Sequence, residues 1–287
     1  MYQLWDIHDI KFILKKHGFD FSKALGQNFI IEKEVCPAIA QSAAVGKEDY
    51  VLEVGPGIGV LTAELCKRAG KVVAVELDKR LPAILADTLA EFDNFELVEG
   101  DILKLDLAAL WQENFAGAQS LKVCANLPYY ITSPVIMRFL ESELPIESIT
   151  VMVQKEAGER LCAAVGSKQA GAVTAAVQYY AAAQELFFVP KTAFLPSPKV
   201  DSEVIQLKLR DKPPVEVADE ALFFKVVKAA FLQRRKSAAN SLAAGLSMPK
   251  AEVIAMLDAL GFAPGVRAEV FTMEDFAAIT AYLYQRQ

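Results

Sequence analysis

The sequence predicts an α/β protein: a mostly parallel sheet of about seven strands, followed by a small all-helical domain. Two observations carry this expectation. Short β-branched runs alternate with stretches of crossover length through the first two-thirds of the chain, the pattern of a parallel sheet covered on both faces. Beyond "DKPPVE" (211–216) the strand-like runs stop and only helical segments follow.

In order, the candidate strands are "YVLEV" (50–54), "KVVAVE" (71–76), "FELVE" (95–99), "LKVCA" (121–125), "ITVMVQ" (149–154), "QELFFV" (184–189) and "EVIQLKL" (203–209). Valine, isoleucine and aromatic residues crowd these runs, as a pleated, buried surface favours. Between the first two lies "GVLTAELCKRAG", where Leu61 and Leu65 share a helix face and Gly70 is expected to close the C-terminus. The last two strands are joined by a Pro-rich loop instead of a helix, which leaves one of them free to run antiparallel. Pro213 and Pro214 make a stiff, extended connector. Domains are therefore expected at 1–211, with a leading segment 1–45, and at 212–287. The second contains the helical runs "DEALFFKVVKAAFLQRRKSAANSLAAG", "PKAEVIAMLDALG" and "TMEDFAAITAYLYQ".

Composition narrows the class. The 287 residues are 53% hydrophobic, enough for one sizeable core and a smaller one. The start, "MYQLWDIHDIKFILKKHGFD", sets charges among its apolar positions and does not read as a signal peptide. The most apolar window, "GAVTAAVQYYAAAQELFFVP", is interrupted by Gln178, Gln184 and Glu185, which argues against a membrane span. Cys36, Cys66, Cys124 and Cys162 are far apart, and three sit in apolar patterns. They read as reduced core residues of a cytoplasmic protein, not as a disulfide or zinc framework. His8 and His17 are the only histidines. That scarcity argues against a Ser-His-Asp or Cys-His mechanism, and no metal is expected.

The net charge of −6 argues, taken whole, against a nucleic-acid partner. Its distribution weakens that objection, because residues 212–287 hold nine basic and eight acidic side chains. Basic clusters occur in "KFILKKHG" near the start and in "QRRK" (233–236).

In an open parallel sheet, ligands bind outside the carboxyl ends of the strands. The first strand ends in "LEVGPGIGVLT", where Gly55, Gly57 and Gly59 let backbone amides approach a ligand. The spacing is G-x-G-x-G, not the dinucleotide G-x-G-x-x-G, and Glu53 precedes it, which disfavours a pyrophosphate cradle. The second strand ends at Glu76, placed to accept both hydroxyls of a ribose. Asp101 follows the third strand and can accept from an exocyclic amine; alone it reads as a helix cap. Asn126 follows the fourth. Four such groups at consecutive strand ends describe a nucleoside pocket without phosphate chemistry.

"LGQNFI", "LEVGPGIGVLT", "VVAVELD", "EGDIL", "NLPYYITSP", "MVQKEAGERL", "FLPSPKVDS" and "AAFLQRRK" run in order from Leu25 to Lys236. With these motifs the chain resembles the rRNA adenine N6-dimethyltransferase family, on its bacterial small-subunit side. The resemblance implies a Rossmann-like S-adenosylmethionine-dependent methyltransferase sheet. It implies that Gln27, Asn28 and Ile30 close over the cofactor, with Gly55 and Gly57 beside it. Glu76 would hold its ribose, Asp101 would read its adenine, and Asn126 would stand between cofactor and substrate.

The physical case for "NLPY" is specific. Adenine N6 is a poor nucleophile because its lone pair is delocalised into the ring. If the Asn126 side-chain oxygen and the Leu127 carbonyl accept its two N–H bonds, the nitrogen pyramidalises and its lone pair turns toward the sulfonium methyl. Positioning and electrostatics then suffice, without a strong base. Pro128 stiffens the turn, Tyr129 stacks on the flipped base, and by resemblance Phe194 is the second wall. Tyr130 receives no role.

"QKEAGERL" (154–161) reads as the start of an amphipathic helix. Arg234, Arg235 and Lys236 read either as a solvated helix face or as an RNA-phosphate clamp, and the clamp is the preferred reading. The resemblance lapses at Ala170 and over Ser237–Ala239. The implied substrate is a pair of adjacent adenines near the 3′ end of 16S rRNA within the immature 30S subunit, with a monomeric enzyme and no membrane partner. Two alternatives stand beside it: a 23S rRNA adenine N6-methyltransferase of the macrolide-resistance type, and a non-catalytic nucleic-acid-binding factor on the same scaffold.

Overall fold

Each β-branched run named above lies within a strand. This computed structural model describes residues 2–22, 26–233 and 235–286. Its main sheet has seven strands: β2 (Tyr50–Val54), β3 (Lys71–Glu76), β4 (Phe95–Glu99), β5 (Leu121–Asn126), β6 (Ile146–Gln154), β7 (Ala181–Val189) and β9 (Ser202–Leu209). A separate two-stranded ribbon pairs β1 (Phe29–Ile30) with β8 (Phe194–Leu195) in antiparallel fashion.

The sheet order is β4-β3-β2-β5-β6-β9-β7. Strands β2 to β6 run parallel, and β9 lies antiparallel to β6. From β2 the chain builds outward through β3 and β4, then returns to place β5 on the other side of β2. That reversal opens a crevice at the carboxyl ends of the central strands.

The chain divides into two compact units, Met1–Gly158 with Gln184–Leu209, and Glu159–Ala183 with Arg210–Gln287. In the first, helices α1 (Ile7–Lys16), α2 (Val35–Ser42), α3 (Val60–Cys66), α4 (Leu81–Thr88), α5 (Leu107–Asn114) and α6 (Thr132–Leu140) accompany the strands. Ile10, Ile13 and Leu14 of α1 recur at helical spacing and bury against Leu81, Ile84 and Leu85 of α4. The Asp6 carboxylate caps α1 by accepting from the His8 and Asp9 amides. A second cluster joins Ile39 of α2 and Leu65 of α3 to Val72, Cys124, Met152 and Val204 of the sheet. Cys36, Cys66 and Cys124 are buried, and burial pushes the Cys66 thiol up to about 12.

Gly70 does not cap α3, whose C-cap is Lys67. A Cβ at Gly70 would come 2.4 Å from the Lys47 carbonyl oxygen. The residue is small so that two backbone segments can touch.

Helix α7 (Lys155–Cys162) spans the division between the units. The second unit then takes α8 (Ala172–Tyr180), α9 (Glu220–Ala230), α10 (Ala238–Leu246), α11 (Lys250–Ala259) and α12 (Met273–Tyr284). Ala175 and Tyr179 of α8 share a core with Phe223, Val226, Leu242, Met256 and Phe276. The Tyr179 ring lies 5.1 Å from that of Phe223 and 5.2 Å from that of Phe224. Residues upstream of the proline pair thus complete the helical core. Ala170, Ala238 and Ala239 are buried as well, so the three alanines among the places where the resemblance lapses are packing positions.

The most apolar window divides into α8 and the whole of β7. Among the described residues, no helix is long and apolar enough to cross a membrane.

Candidate active site

The crevice at the carboxyl ends of β2, β3, β4 and β5 is a cleft. Its walls include Gln27, Asn28 and Ile30 from the leading segment and Gly55 and Gly57 after β2. Glu76 ends β3, Asp101 follows β4, the run Asn126–Tyr129 begins with the last residue of β5, and Phe194 comes from β8. Every cofactor and catalytic residue expected from the sequence lines this one cleft.

The glycine turn is open where a ligand would need room. Gly55 sits at φ +71°, which side chains rarely adopt, and a Cβ there would meet nothing within 4 Å. Its amide donates to the Val75 carbonyl at 2.9 Å, holding the turn against β3.

Carboxylates dominate the floor. Glu53 is 1% exposed, and its Oε2 has no hydrogen-bond partner. Burial, with the Glu76 charge adding to it, pushes its carboxyl up to about 8. Sequence reasoning marks Glu53 only as a departure from the dinucleotide pattern. The available signal was a carboxylate inside the apolar strand "YVLEV". Glu76 is buried at the end of β3, and burial raises its carboxyl while the Asp78, Gly57 and Leu77 amides oppose the rise.

Asp101 Oδ1 accepts from the Leu103 amide at 3.0 Å, and Oδ2 lies 3.5 Å from exposed Lys104. It caps a turn and lines the cleft at once. Acids at consecutive strand ends suit hydroxyl, amine or ammonium donors and repel phosphates.

Asn126 is the last residue of β5. Its Nδ2 donates to the Asn28 carbonyl at 3.4 Å, which leaves Oδ1 as the atom free for another donor. The Leu127 amide donates to the Met152 carbonyl at 3.1 Å, and the Ile131 amide donates to that of Pro128 at 3.1 Å. The turn is therefore anchored on both sides.

The Tyr129 hydroxyl lies 2.9 Å from Ser202 Oγ. Burial raises its phenol, consistent with a fixed, half-covered ring. Phe194 is 3% exposed and belongs both to the core and to the cleft wall. It lies in β8, not in a loop. Tyr130, at 58% exposure, stands at the mouth.

Arg235 and Lys236 are exposed in the turn between α9 and α10, so they do not form a helix face. Arg234 lies outside the described residues. In the other basic cluster, Lys16 Nζ pairs with Asp87 at 2.7 Å, and His17 approaches the same carboxylate at 3.0 Å. Among the described residues, no group of three His, Cys, Asp or Glu side chains is placed to hold a metal ion.

This topology, with an open glycine turn and an Asn-Leu-Pro-Tyr run on its central crevice, defines a Rossmann-like methyltransferase domain. The chain belongs to the ribosomal RNA adenine dimethylase family, whose model matches residues 18–285. It is 46% identical over 273 residues to the ribosomal RNA small subunit methyltransferase A of Geobacillus thermodenitrificans, covering 94% of this chain and 93% of that protein. The protein of the same name from Shouchella clausii is 44% identical over 274 residues, at 95% and 93% coverage.

Among solved structures, the 23S rRNA methyltransferase ErmE matches 90% of this chain and 100% of its own with TM-score 0.67 and 27% identity. A dimethyladenosine transferase from Plasmodium falciparum matches 90% and 98% with TM-score 0.72 and 22% identity, a likeness of fold.

Proposed function

We propose that this chain transfers methyl groups from S-adenosylmethionine to N6 of two adjacent adenines near the 3′ end of 16S rRNA. The products are N6,N6-dimethyladenosines, made in the assembling small ribosomal subunit. The observation that carries this reading is the sharing of one cleft by Asn126–Tyr129 with Gly55, Glu76 and Asp101. A side-chain amide oxygen able to accept from an amine thus adjoins the carboxylates and the open glycine turn.

The residues present suit the cofactor. Gly55 leaves open the space a Cβ would take, and the unpartnered Glu53 Oε2 and the Glu76 carboxylate offer acceptors to a group rich in hydroxyl and ammonium donors. When bound, S-adenosylmethionine supplies an electrophilic methyl group on a sulfonium. In this reading, Glu76 accepts from the ribose hydroxyls, Asp101 accepts from the exocyclic amine, and Asn28 and Ile30 cover the site.

The chain's own residues do the positioning. Asn126 Oδ1 and the Leu127 carbonyl accept hydrogen bonds from the N6–H groups, concentrating the lone pair on nitrogen, and the proton that N6 loses on methylation passes to solvent. Pro128 keeps that carbonyl aimed. Tyr129 and Phe194 hold the base between two faces, each stacking contact contributing about 1–3 kcal/mol. No histidine is needed, because the rate gain comes from orientation and preorganised acceptors.

Relatives named for the small subunit, at 44–46% identity, support 16S over 23S rRNA, since the 23S enzyme shares 27%. The exposed Arg235 and Lys236 suit phosphate contacts. We assign the enzyme to the cytoplasm as a monomer acting on immature 30S particles. Mass spectrometry of 16S rRNA, after incubating such particles with protein and S-adenosylmethionine, should find two dimethyladenosines. Label confined to 23S rRNA would reject the substrate, and a protein that binds no S-adenosylmethionine in calorimetry would point to the non-catalytic alternative.

A further inference from the structure

The turn after β3 holds a polar cluster that the transfer step does not use. Asp78 is buried two residues beyond Glu76. Its Oδ2 accepts from the Gln27 side-chain amide at 2.7 Å and from Arg80 Nη2 at 2.6 Å. Its Oδ1 accepts from Arg80 Nε at 2.9 Å and from the Arg80 amide at 3.1 Å. The Asp78 amide donates to Glu76 Oε1 at 2.7 Å.

The contacts continue into the leading segment. Arg80 Nη1 donates to the Asp20 carbonyl at 3.0 Å, and the guanidinium lies 4.5 Å from the centre of the Phe19 ring. Gln27 Oε1 accepts from the Ser22 amide at 2.8 Å. The segment is thus fastened to this turn at Phe19, Asp20 and Gln27. Asn28 and Ile30, which line the cleft, follow immediately after the last of these.

We propose that Asp78 is a clasp: a positioning residue that holds the leading segment closed over the cofactor cleft through Gln27 and Arg80, while its amide orients the Glu76 carboxylate. This rests on the reading of the cleft as an S-adenosylmethionine site. It gives Gln27 a different task from the one the resemblance implied. Both polar atoms of its side chain are engaged with the protein, so it acts on the cofactor by holding the cover.

A helix-start ion pair between Asp78 and Arg80 would need neither Gln27 nor Asp20. A planar bidentate guanidinium and a reciprocal amide give the joint directionality that a lone charge pair lacks. Arg80, with Gln27 helping, holds the Asp78 carboxyl at about 2, so the clasp stays ionised through the neutral range.

The test uses the full-length protein and S-adenosylmethionine, with Kd from calorimetry and dissociation from stopped-flow fluorescence. Q27A, R80K and D78A should each speed dissociation and raise Kd about tenfold. For R80K and D78A, which lie outside the cleft lining, the turnover number at saturating cofactor should stay within twofold. The double variant Q27A/D78A should be no worse than D78A alone, because both changes open one clasp. Hydrogen exchange over residues 26–31 in the cofactor-bound state should quicken in the same variants. If D78A does not fold, Q27A and R80K carry the test.

Unchanged Kd and dissociation in folded Q27A and R80K would overturn the clasp and leave the functional reading standing. Multiplicative losses in the double variant would overturn it too. A wild-type protein that binds no S-adenosylmethionine would remove both readings together.

Discussion

Ile30 and Phe194 are register partners in the antiparallel ribbon of β1 and β8, next to Phe29 and Leu195. The ribbon makes the leading segment and the Pro-rich loop one piece of cleft wall. Phe194 therefore serves the core and the site at once, and its substitutions should separate the two. Phe194→Ala should cost about 3–5 kcal/mol of stability in denaturant titration. Phe194→Leu should keep most of the packing and lower kcat/KM for RNA by about 10–100-fold, the loss of one stacking face. Equal activity of the leucine variant and the wild type would remove Phe194 from the base-binding wall.

Asn126 leaves Oδ1 for the substrate because its Nδ2 is turned to the Asn28 carbonyl. Asn126→Ala should reduce single-turnover methyl transfer by about 10²–10³-fold or more, the scale for losing one preorganised electrostatic partner. RNA affinity in filter binding should change less than twofold. Substantial transfer by this variant would defeat the lone-pair argument.

Tyr129 separates ring from hydroxyl. Tyr129→Phe removes the contact with Ser202 and should lower stability by about 1 kcal/mol while leaving transfer within a few fold. Tyr129→Ala should lose transfer with the stacking surface. An equal loss of transfer in the two variants would mean that the hydroxyl, not the ring, matters.

Glu53 gives a signed pH dependence. Its folded-state pKa, about 8, lies above the ordinary carboxyl value of 4.5, so folding takes up a proton between those limits. The contribution is most favourable below about pH 4.5 and is lost as pH rises through 8, at ~1.4 kcal/mol for each pH unit between the two values. In cofactor-free protein, Glu53→Gln should raise Tm relative to wild type at pH 9 and change it little at pH 5. A constant difference across that range would show that Glu53 does not titrate as its burial requires.

Arg235 and Lys236 sit in an exposed turn. Arg235→Ala/Lys236→Ala should weaken RNA binding and lower the slope of log K against log salt by roughly 1.5, from two phosphate contacts at 0.7–0.9 each. Transfer at saturating RNA should be unaffected. An unchanged slope would leave these side chains as a solvated turn.

The strand ends were legible because periodicity and turn chemistry are local. "YVLEV", "KVVAVE" and "FELVE" are strands at the residues expected, while β5, β6, β7 and β9 each extend beyond their predicted runs. Gly55, Glu76, Asp101 and Asn126 fall at one rim because parallel strands send their carboxyl ends to the same side. Gly70 misleads a local reading, since a carbonyl approaching from Lys47 leaves no trace in the helix it follows. Basic residues following an apolar helical run suggest a helix face, but α9 ends at Ala230, before that cluster.

By itself, the sequence determined the alternation of strand and helix, the glycine turn and the Asn-Leu-Pro-Tyr run. Each depends on neighbours within a few residues. Only the tertiary structure decided that α8 completes the helical core, that Phe194 meets Ile30, and that Gln27 closes on Asp78. It also decided that Glu53 holds its proton into the neutral range. Those outcomes depend on contacts between segments far apart in the chain and on exclusion of water, and neither is written in any local pattern.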